Sequence, residues 1–237
     1  MKLAIISAGE GSRLKSEGVA LPKPLVKIAN ECMIDRIIRI ASKVGVNSVH
    51  CILNENSKEV EAHLKKNIYS VPINIKIKTT LSSMHSLFEL KEYLTEPFLM
   101  ATVDSIFKEE EYLEFVEFAK AQNDFAAVLG ITSFIDDEKP LCVNIDRHNR
   151  ITAFSDEKKN HVWATGGIYY FNPVIFSFKE IALNLKINRL RNYLKLLLQN
   201  GFPLLAYKFS KIIDVDHLKD IKAATKFLHR YENKLIN

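Results

Sequence analysis

The chain has 237 residues, 47% hydrophobic and 26% charged, with 33 Lys+Arg against 28 Asp+Glu and a formal net charge of +5. Ordinary globular usage at this length excludes bulk disorder, and roughly 70% of the unfolded surface can be buried without a disulfide or metal staple. No apolar run approaches the roughly 20 residues of a bilayer span, and the start through Gly9 is too short for a signal peptide, so a soluble, cytoplasmic protein without a membrane partner is expected.

Leu3–Ser7 is a short apolar run stopped by Gly9, which predicts a buried strand. Cys32–Val44 places Met33, Ile34, Ile37, Ile38 and Ala41 on one helix face, and Gly45 is a plausible stop. Val49–Leu53 is strand-like and Lys58–Lys66 helical, while Ile73, Ile75 and Ile77 alternate with polar residues as a strand does. Ser83–Leu94 reads as a helix, Phe98–Val103 as a buried strand, Lys108–Gln122 as a helix and Phe125–Thr132 as a strand. Such alternation predicts an α/β fold with a parallel sheet covered by helices on both faces. After residue 132 the pattern loosens. Leu141–Ile145, Ile151–Phe154 and Trp163–Phe171 read as strands, and Asn188–Leu198 and His217–Tyr231 as helices. A mixed second half that adds antiparallel strands to the sheet is expected, with an exposed edge that leaves a homo-oligomer open.

The cations are spread along the chain rather than gathered in a patch or arm, so no nucleic-acid partner is expected. Cys32, Cys51 and Cys142 form no C-x-x-C pair, which fits reduced structural thiols rather than a disulfide frame or zinc site. The seven histidines show no ligand spacing either.

The first strand feeds Ala8-Gly9-Glu10-Gly11-Ser12-Arg13-Leu14. Two glycines around one residue permit a tight turn and close backbone approach to an anion. A dinucleotide fingerprint would need a third glycine where Leu14 stands, and the Lys-Ser/Thr of a P-loop is missing. Arg13 instead supplies a permanent cation, and Pro22-Lys23-Pro24 frames a lysine between two stiff residues. Asp104 follows the Phe98–Val103 strand, where the carboxyl end of a central parallel strand faces the ligand crevice; the rival reading is a cap for the next helix. Asp214 and Asp216 alternate along an extended segment and so share a face, although Asp216 could equally cap the last helix. Two carboxylates about 4 Å apart repel by roughly 4 kcal/mol at an effective dielectric of 20. Mg²⁺ would remove that repulsion and bridge to phosphates.

The glycine loop with Arg13, eight residues, and then Pro22-Lys23-Pro24-Leu25-Val26 resemble the NTP-transferase family: sugar-phosphate nucleotidylyltransferases and their relatives that activate phosphocholine and other alcohol phosphates. The resemblance implies a Rossmann-like α/β domain over 1–237, with a nucleotide-binding half (1–132) and an acceptor-binding half (133–237). It implies transfer of a nucleoside monophosphate from an NTP to a phosphorylated acceptor, most commonly a sugar 1-phosphate, with release of pyrophosphate and with Mg²⁺. Ala8, Gly9, Glu10, Gly11, Ser12 and Arg13 would hold the triphosphate, and Lys23 would sit beside the reacting phosphates. Asp104 would bind the metal, although Val103 stands where the family usually has glycine. Asp214 matches the sugar-phosphate form of the second metal motif and Asp216 the alcohol-phosphate form. Thr80, Ser82 and Ser83 would meet the nucleobase, unless the serines merely cap a helix. Asp156 or Glu157, in a segment like the family's Phe-x-Glu-Lys, and Gly166 and Gly167 would shape the acceptor pocket; a β-bulge is the other reading of Gly166. The chain ends soon after the last helix with no hexapeptide-repeat extension, so no second activity is expected. Phosphocholine, inositol phosphate or another alcohol phosphate stays open as acceptor. So does a non-catalytic nucleotide- or sugar-sensing module, which would tend to lose Lys23 or Asp104.

Overall fold

The computed structural model describes residues 1–7, 9, 11–122, 124–136, 138–157 and 162–235, with side chains of the last helix to 231; Ala8 and Glu10 lie outside the described residues. The strands are β1 (Lys2–Ser7), β2 (Lys27–Ile28), β3 (Glu31–Cys32), β4 (Ser48–Leu53), β5 (Ile73–Ile77), β6 (Phe98–Thr102), β7 (Ser105–Ile106), β8 (Ala127–Thr132), β9 (Cys142–Ile145), β10 (Ile151–Ser155), β11 (Trp163–Phe171), β12 (Leu204–Phe209) and β13 (Ile213–Asp214). The helices are α1 (Ser12–Ser16), α2 (Met33–Ser42), α3 (Lys58–Lys66), α4 (Ser83–Glu89), α5 (Glu109–Lys120), α6 (Lys179–Asn184), α7 (Leu190–Gln199) and α8 (Leu218–Leu235).

The main sheet runs β12-β8-β11-β6-β1-β4-β5. β5, β4, β1 and β6 are parallel, β11 runs against both its neighbours, and the β9–β10 hairpin pairs with the first residues of β11. The fold is therefore α/β with a mostly parallel sheet and a smaller antiparallel region, as the strand–helix alternation predicts. Both faces are covered, which explains why Leu3–Ile6 of β1 are apolar without interruption. Leu3 and Ile5 enter a core with α2, α3 and α5, whereas Ala4 and Ile6 enter a second core with α4, α6 and α7. Each large side chain so buried contributes about 1.5–3 kcal/mol.

A third, smaller core joins Leu14, Ile28, Met33, Ile106, Ile213, Val215 and Leu228. It lies at one end of the sheet and fastens α1, β2, β7, β13 and α8 there. Several elements depart from the sequence reading, α1, β2, β3, β7 and α6 among them. β12 is an unforeseen strand, parallel to β8. The helix expected over Ser83–Leu94 stops at Glu89 and tightens into a 3-10 turn, Lys91–Tyr93, before Pro97. The chain goes from β1 outward to β4 and β5 and then returns to place β6 on the other side of β1. At such a reversal the strands' carboxyl ends open a crevice.

Candidate active site

Segments distant in sequence meet in that crevice. Gly11 begins α1 at φ +60, in the left-handed region. A Cβ built on it would lie 2.9 Å from the Cβ of Lys23, so glycine lets the loop touch the Pro22-Lys23-Pro24 turn. Lys23 opens a 3-10 turn whose Pro24 and Leu25 are buried, so its side chain leaves an anchored backbone. Its ammonium lies 2.6 Å from Asp104 Oδ2 and 2.6 Å from Asp216 Oδ1. Arg13 also pairs with Asp216, and its second guanidinium nitrogen is 3.7 Å from Glu138.

The aspartates converge through backbone pairing. Asp214 in β13 stands opposite Ser105 in β7, and the Val215 N–H donates to the Asp104 carbonyl at 3.0 Å. Carboxylate oxygens of Asp104, Asp214 and Asp216 all lie within 4.8 Å of one another. Helix capping uses neither Asp104 nor Asp216. α5 starts without a side-chain cap. At the start of α8, Asp220 accepts from the N–H groups of Asp216 (3.1 Å) and His217 (2.7 Å), and Glu17 accepts from Leu218 N–H (2.6 Å). Burial alone would lower the Lys23 pKa. The charges of Asp104 and Asp214, with the hydrogen bonds to Asp104 and Asp216, outweigh it and hold Lys23 well above the ordinary lysine value. Asp104 is its counterpart. Burial pushes it up, but the Lys23 charge and the hydrogen bonds from Lys23 and Thr102 hold it below the usual carboxylate range.

Two cavities share this cluster. The larger, about 620 Å³, is lined by Gly9, Gly11, Ser12, Arg13 and Lys23, by the β5–α4 loop through Thr79, Thr80, Leu81, Ser82 and Ser83, and by Asp104 and Asp216. Thr80 shares a 2.6 Å hydrogen bond with Ser86, and Ser82 starts α4 without a side-chain cap. The smaller, about 220 Å³, is lined by Asp104, Thr132, Asp136, Gly166, Gly167, Tyr169, Arg191 and Asp214. The β11–β8 register shifts across the two glycines. A Cβ on Gly166 would lie 2.2 Å from Ile212 Cδ1, and one on Gly167, at φ +74, would lie 2.4 Å from Thr102 Oγ1. Both glycines are thus required by packing beneath the cavity. Asp156 and Glu157 are exposed and do not line it. Asp156 pairs instead with Lys195 and, at 3.4 Å, with Arg191, beside a separate cavity of about 480 Å³.

Sequence reasoning missed several lining residues. Asn54, Thr79 and Thr132 sit at or just past the carboxyl ends of β4, β5 and β8, where the crevice rule points. Arg191 comes from α7 and is placed only by tertiary packing.

A family model for nucleotidyl transferases matches residues 2–230. The chain belongs to the nucleotidyl transferase family. Relatives include the mannose-1-phosphate guanylyltransferase catalytic subunit beta of Dictyostelium discoideum, 26% identical over 185 residues, covering 74% of this chain and 50% of the relative. Mannose-1-phosphate guanylyltransferase 1 of Arabidopsis thaliana is 28% identical over 193 residues, covering 76% and 52%. The chain thus spans about half the length of these relatives. Two solved structures share this fold. The inositol-1-phosphate CTP transferase from T. maritima has a TM-score of 0.77 at 18% identity, covering 95% of each chain. A Bacillus anthracis protein described as a glucose-1-phosphate thymidylyltransferase has a TM-score of 0.83 at 19% identity, covering 96% and 94%. Among the described residues no helix is long and apolar enough to cross a membrane.

Proposed function

We propose that the chain transfers a nucleoside monophosphate from an NTP to a sugar 1-phosphate and releases pyrophosphate. The observation that carries this reading is the junction of the two cavities. Asp104 lines both, held with Lys23 and Asp216 on one side and Asp214 on the other. Residues 1–132 supply the larger cavity apart from Asp216, so the triphosphate goes there; the later half supplies most of the smaller one, which takes the acceptor.

In this reaction a phosphate oxygen of the acceptor forms a bond to the α-phosphorus, and the bond to the β-phosphate oxygen breaks. The attacking oxygen is already deprotonated, so no strong general base is needed, and catalysis is positioning plus offset of charge. Lys23, kept protonated by its carboxylates, and Arg13 oppose the repulsion between the two substrates. Gly9, Gly11 and Ser12 bring backbone close to the triphosphate. Thr80, Ser82 and Ser83 face the base, and Arg191, the one cation lining the smaller cavity among the described residues, faces the acceptor phosphate.

The all-oxygen donor set of Asp104, Asp214 and Asp216 fits Mg²⁺. When bound, that ion would offset the mutual repulsion of the carboxylates and polarise phosphate oxygens. The names of the relatives make mannose 1-phosphate with GTP the first pair to assay. A second reading, a cytidylyltransferase for inositol phosphate or another alcohol phosphate, is favoured by Asp216, the aspartate that matches the alcohol-phosphate motif and lies 2.6 Å from Lys23.

Pyrophosphate release with Mg²⁺, over a grid of NTPs and of hexose 1-phosphates, inositol phosphate and phosphocholine, tests both readings. One productive pair is expected. Silence with tight NTP binding by calorimetry would favour the sensing module; silence without NTP binding would sink the enzyme reading.

A further inference from the structure

Among the described residues one other group of ligating side chains converges outside the crevice. The thiol of Cys32, a carboxylate oxygen of Asp35 and an imidazole nitrogen of His63 all lie within 4.8 Å of one another. We propose that these three residues bind a divalent transition metal, zinc being the best match, as a structural staple separate from the site of group transfer. The donors decide the ion. Thiol, imidazole and carboxylate together suit zinc, whereas magnesium prefers oxygen alone. In a tetrahedral site with bonds of about 2.0–2.3 Å, neighbouring ligand atoms stand roughly 3.3–3.8 Å apart, so small side-chain rotations close the present spacing.

The local structure holds the donors in place. Cys32 ends β3 and is the extended residue that starts α2, and Asp35 follows in the first turn of that helix. His63 comes from α3, and its Nε2 lies 2.9 Å from both Asp35 oxygens. A hydrogen bond now joins imidazole and carboxylate; a dication there would replace the shared proton and take Cys32 as a thiolate, the displaced protons going to solvent. The surroundings resemble an outer shell. The Tyr69 hydroxyl donates to Asp35 Oδ1 at 2.7 Å and so fixes the carboxylate. Entry is open, because the Asp35 and His63 side chains are 26% and 23% exposed.

The staple would tie the start of α2 to α3. It would also brace the β2–β3 ribbon that follows the Lys23 turn, where the Met33 N–H bonds to the Val26 carbonyl at 3.0 Å. No sequence spacing announces the site, since His63 is 28 residues from Asp35.

The test uses the full chain, stripped with a chelator and kept reduced. Co²⁺ is titrated while the thiolate-to-cobalt absorption is followed, and Zn²⁺ is titrated by calorimetry and thermal melting. Saturation of a thiolate–cobalt band by one equivalent and a Zn²⁺-dependent rise in Tm are expected. Cys32→Ser should abolish the band although Cys51 and Cys142 remain. His63→Ala should weaken Zn²⁺ by at least about tenfold, as even outer-shell losses do. His63 is partly exposed, so that variant is informative even if Cys32→Ser disturbs folding. Asp104→Asn should leave both signals intact. Absence of the band in the parent protein, a band that persists in Cys32→Ser, or a Zn²⁺ response lost in Asp104→Asn but kept in His63→Ala would each overturn the proposal.

Discussion

Two charge networks in this molecule look alike in outline and differ in balance. On the outer surface Arg39 forms a fork on Glu31 at 2.7 and 2.9 Å and reaches Glu109 at 2.8 Å, while Lys43 closes on the same Glu109. Arg36 also stands 4.0 Å from Glu31, so cations meet both anions and no negative charge is left over. In the crevice Lys23 and Arg13 face Asp104, Asp214 and Asp216, with Glu138 also 3.7 Å from Arg13, so carboxylates outnumber cations; the Lys23 side chain is only 12% exposed. The balanced network needs no ligand. The unbalanced one sits where two cavities meet and is short of positive charge, the state expected of a site that completes itself with a divalent cation.

The largest effect should come from deepening or removing that imbalance. Asp104→Asn removes the carboxylate common to both cavities, and turnover should fall to below about 10⁻³ of the parent with the melting temperature nearly unchanged. Turnover that survives would mean the anionic excess is not the catalytic feature. Lys23→Met works in the opposite direction and leaves three carboxylates facing Arg13 alone. Turnover should fall about 10²–10³-fold. Melting curves with and without Mg²⁺ should then show a larger ion-dependent stabilisation than in the parent, because an ion bound only by the folded state now relieves more repulsion. An unchanged Mg²⁺ response would separate Lys23 from the metal cluster.

Gly11→Ala comes next. It puts a Cβ 2.9 Å from that of Lys23 at φ +60. The backbone strain should cost about 1–3 kcal/mol in denaturant unfolding, and turnover should drop further than lost stability explains, since Lys23 itself is displaced.

The crevice was more legible than the smaller cavity for a physical reason. β1, the glycine loop and Lys23 follow one another in sequence, and Asp104 follows β6, the sheet neighbour of β1, so local pattern and the crevice rule place them. Asp214 and Asp216 share a face by strand alternation, but their approach to Asp104 depends on a two-residue ribbon, β7 with β13, too short to leave a pattern. The smaller cavity draws on β8, β11 and α7, which meet only through packing, and Arg191 reaches it from a helix whose sequence reports just its buried face. Asp156 and Glu157 matched a motif by type, yet the ion pairs with Lys195 and Arg191 hold Asp156 on the rim. β12 escaped notice because Tyr207 and Lys208 interrupt its apolar run.

Arg39→Ala tests the balanced network and should do little. Exposed pairs contribute about 0.2–1 kcal/mol each, so a loss of about 1 kcal/mol with unchanged turnover is expected. A drop in turnover would show that the two networks are coupled through α2.

The smallest effect belongs to the seam beside Asp216, where His217 Nδ1 meets Glu17 Oε1 at 2.6 Å. The Glu17 hydrogen bond, opposed by slight desolvation and helped by the charges of Glu17, Asp220 and Glu138, raises His217 above its ordinary 6.5. Glu17 is lowered by hydrogen bonds from Leu218 N–H and His217. A raised folded pKa means that the stabilisation from His217 is complete below the unfolded value and fades as pH rises through the folded one. The lowered Glu17 sets the acid limit, where its contribution is lost as pH falls through its own folded value. The Tm difference between the parent and His217→Ala should therefore be widest between those limits and shrink toward alkaline pH. A difference that grows as pH rises would show that His217 acts there as a neutral packing residue, and that charge at the seam does not hold the segment bearing Asp216.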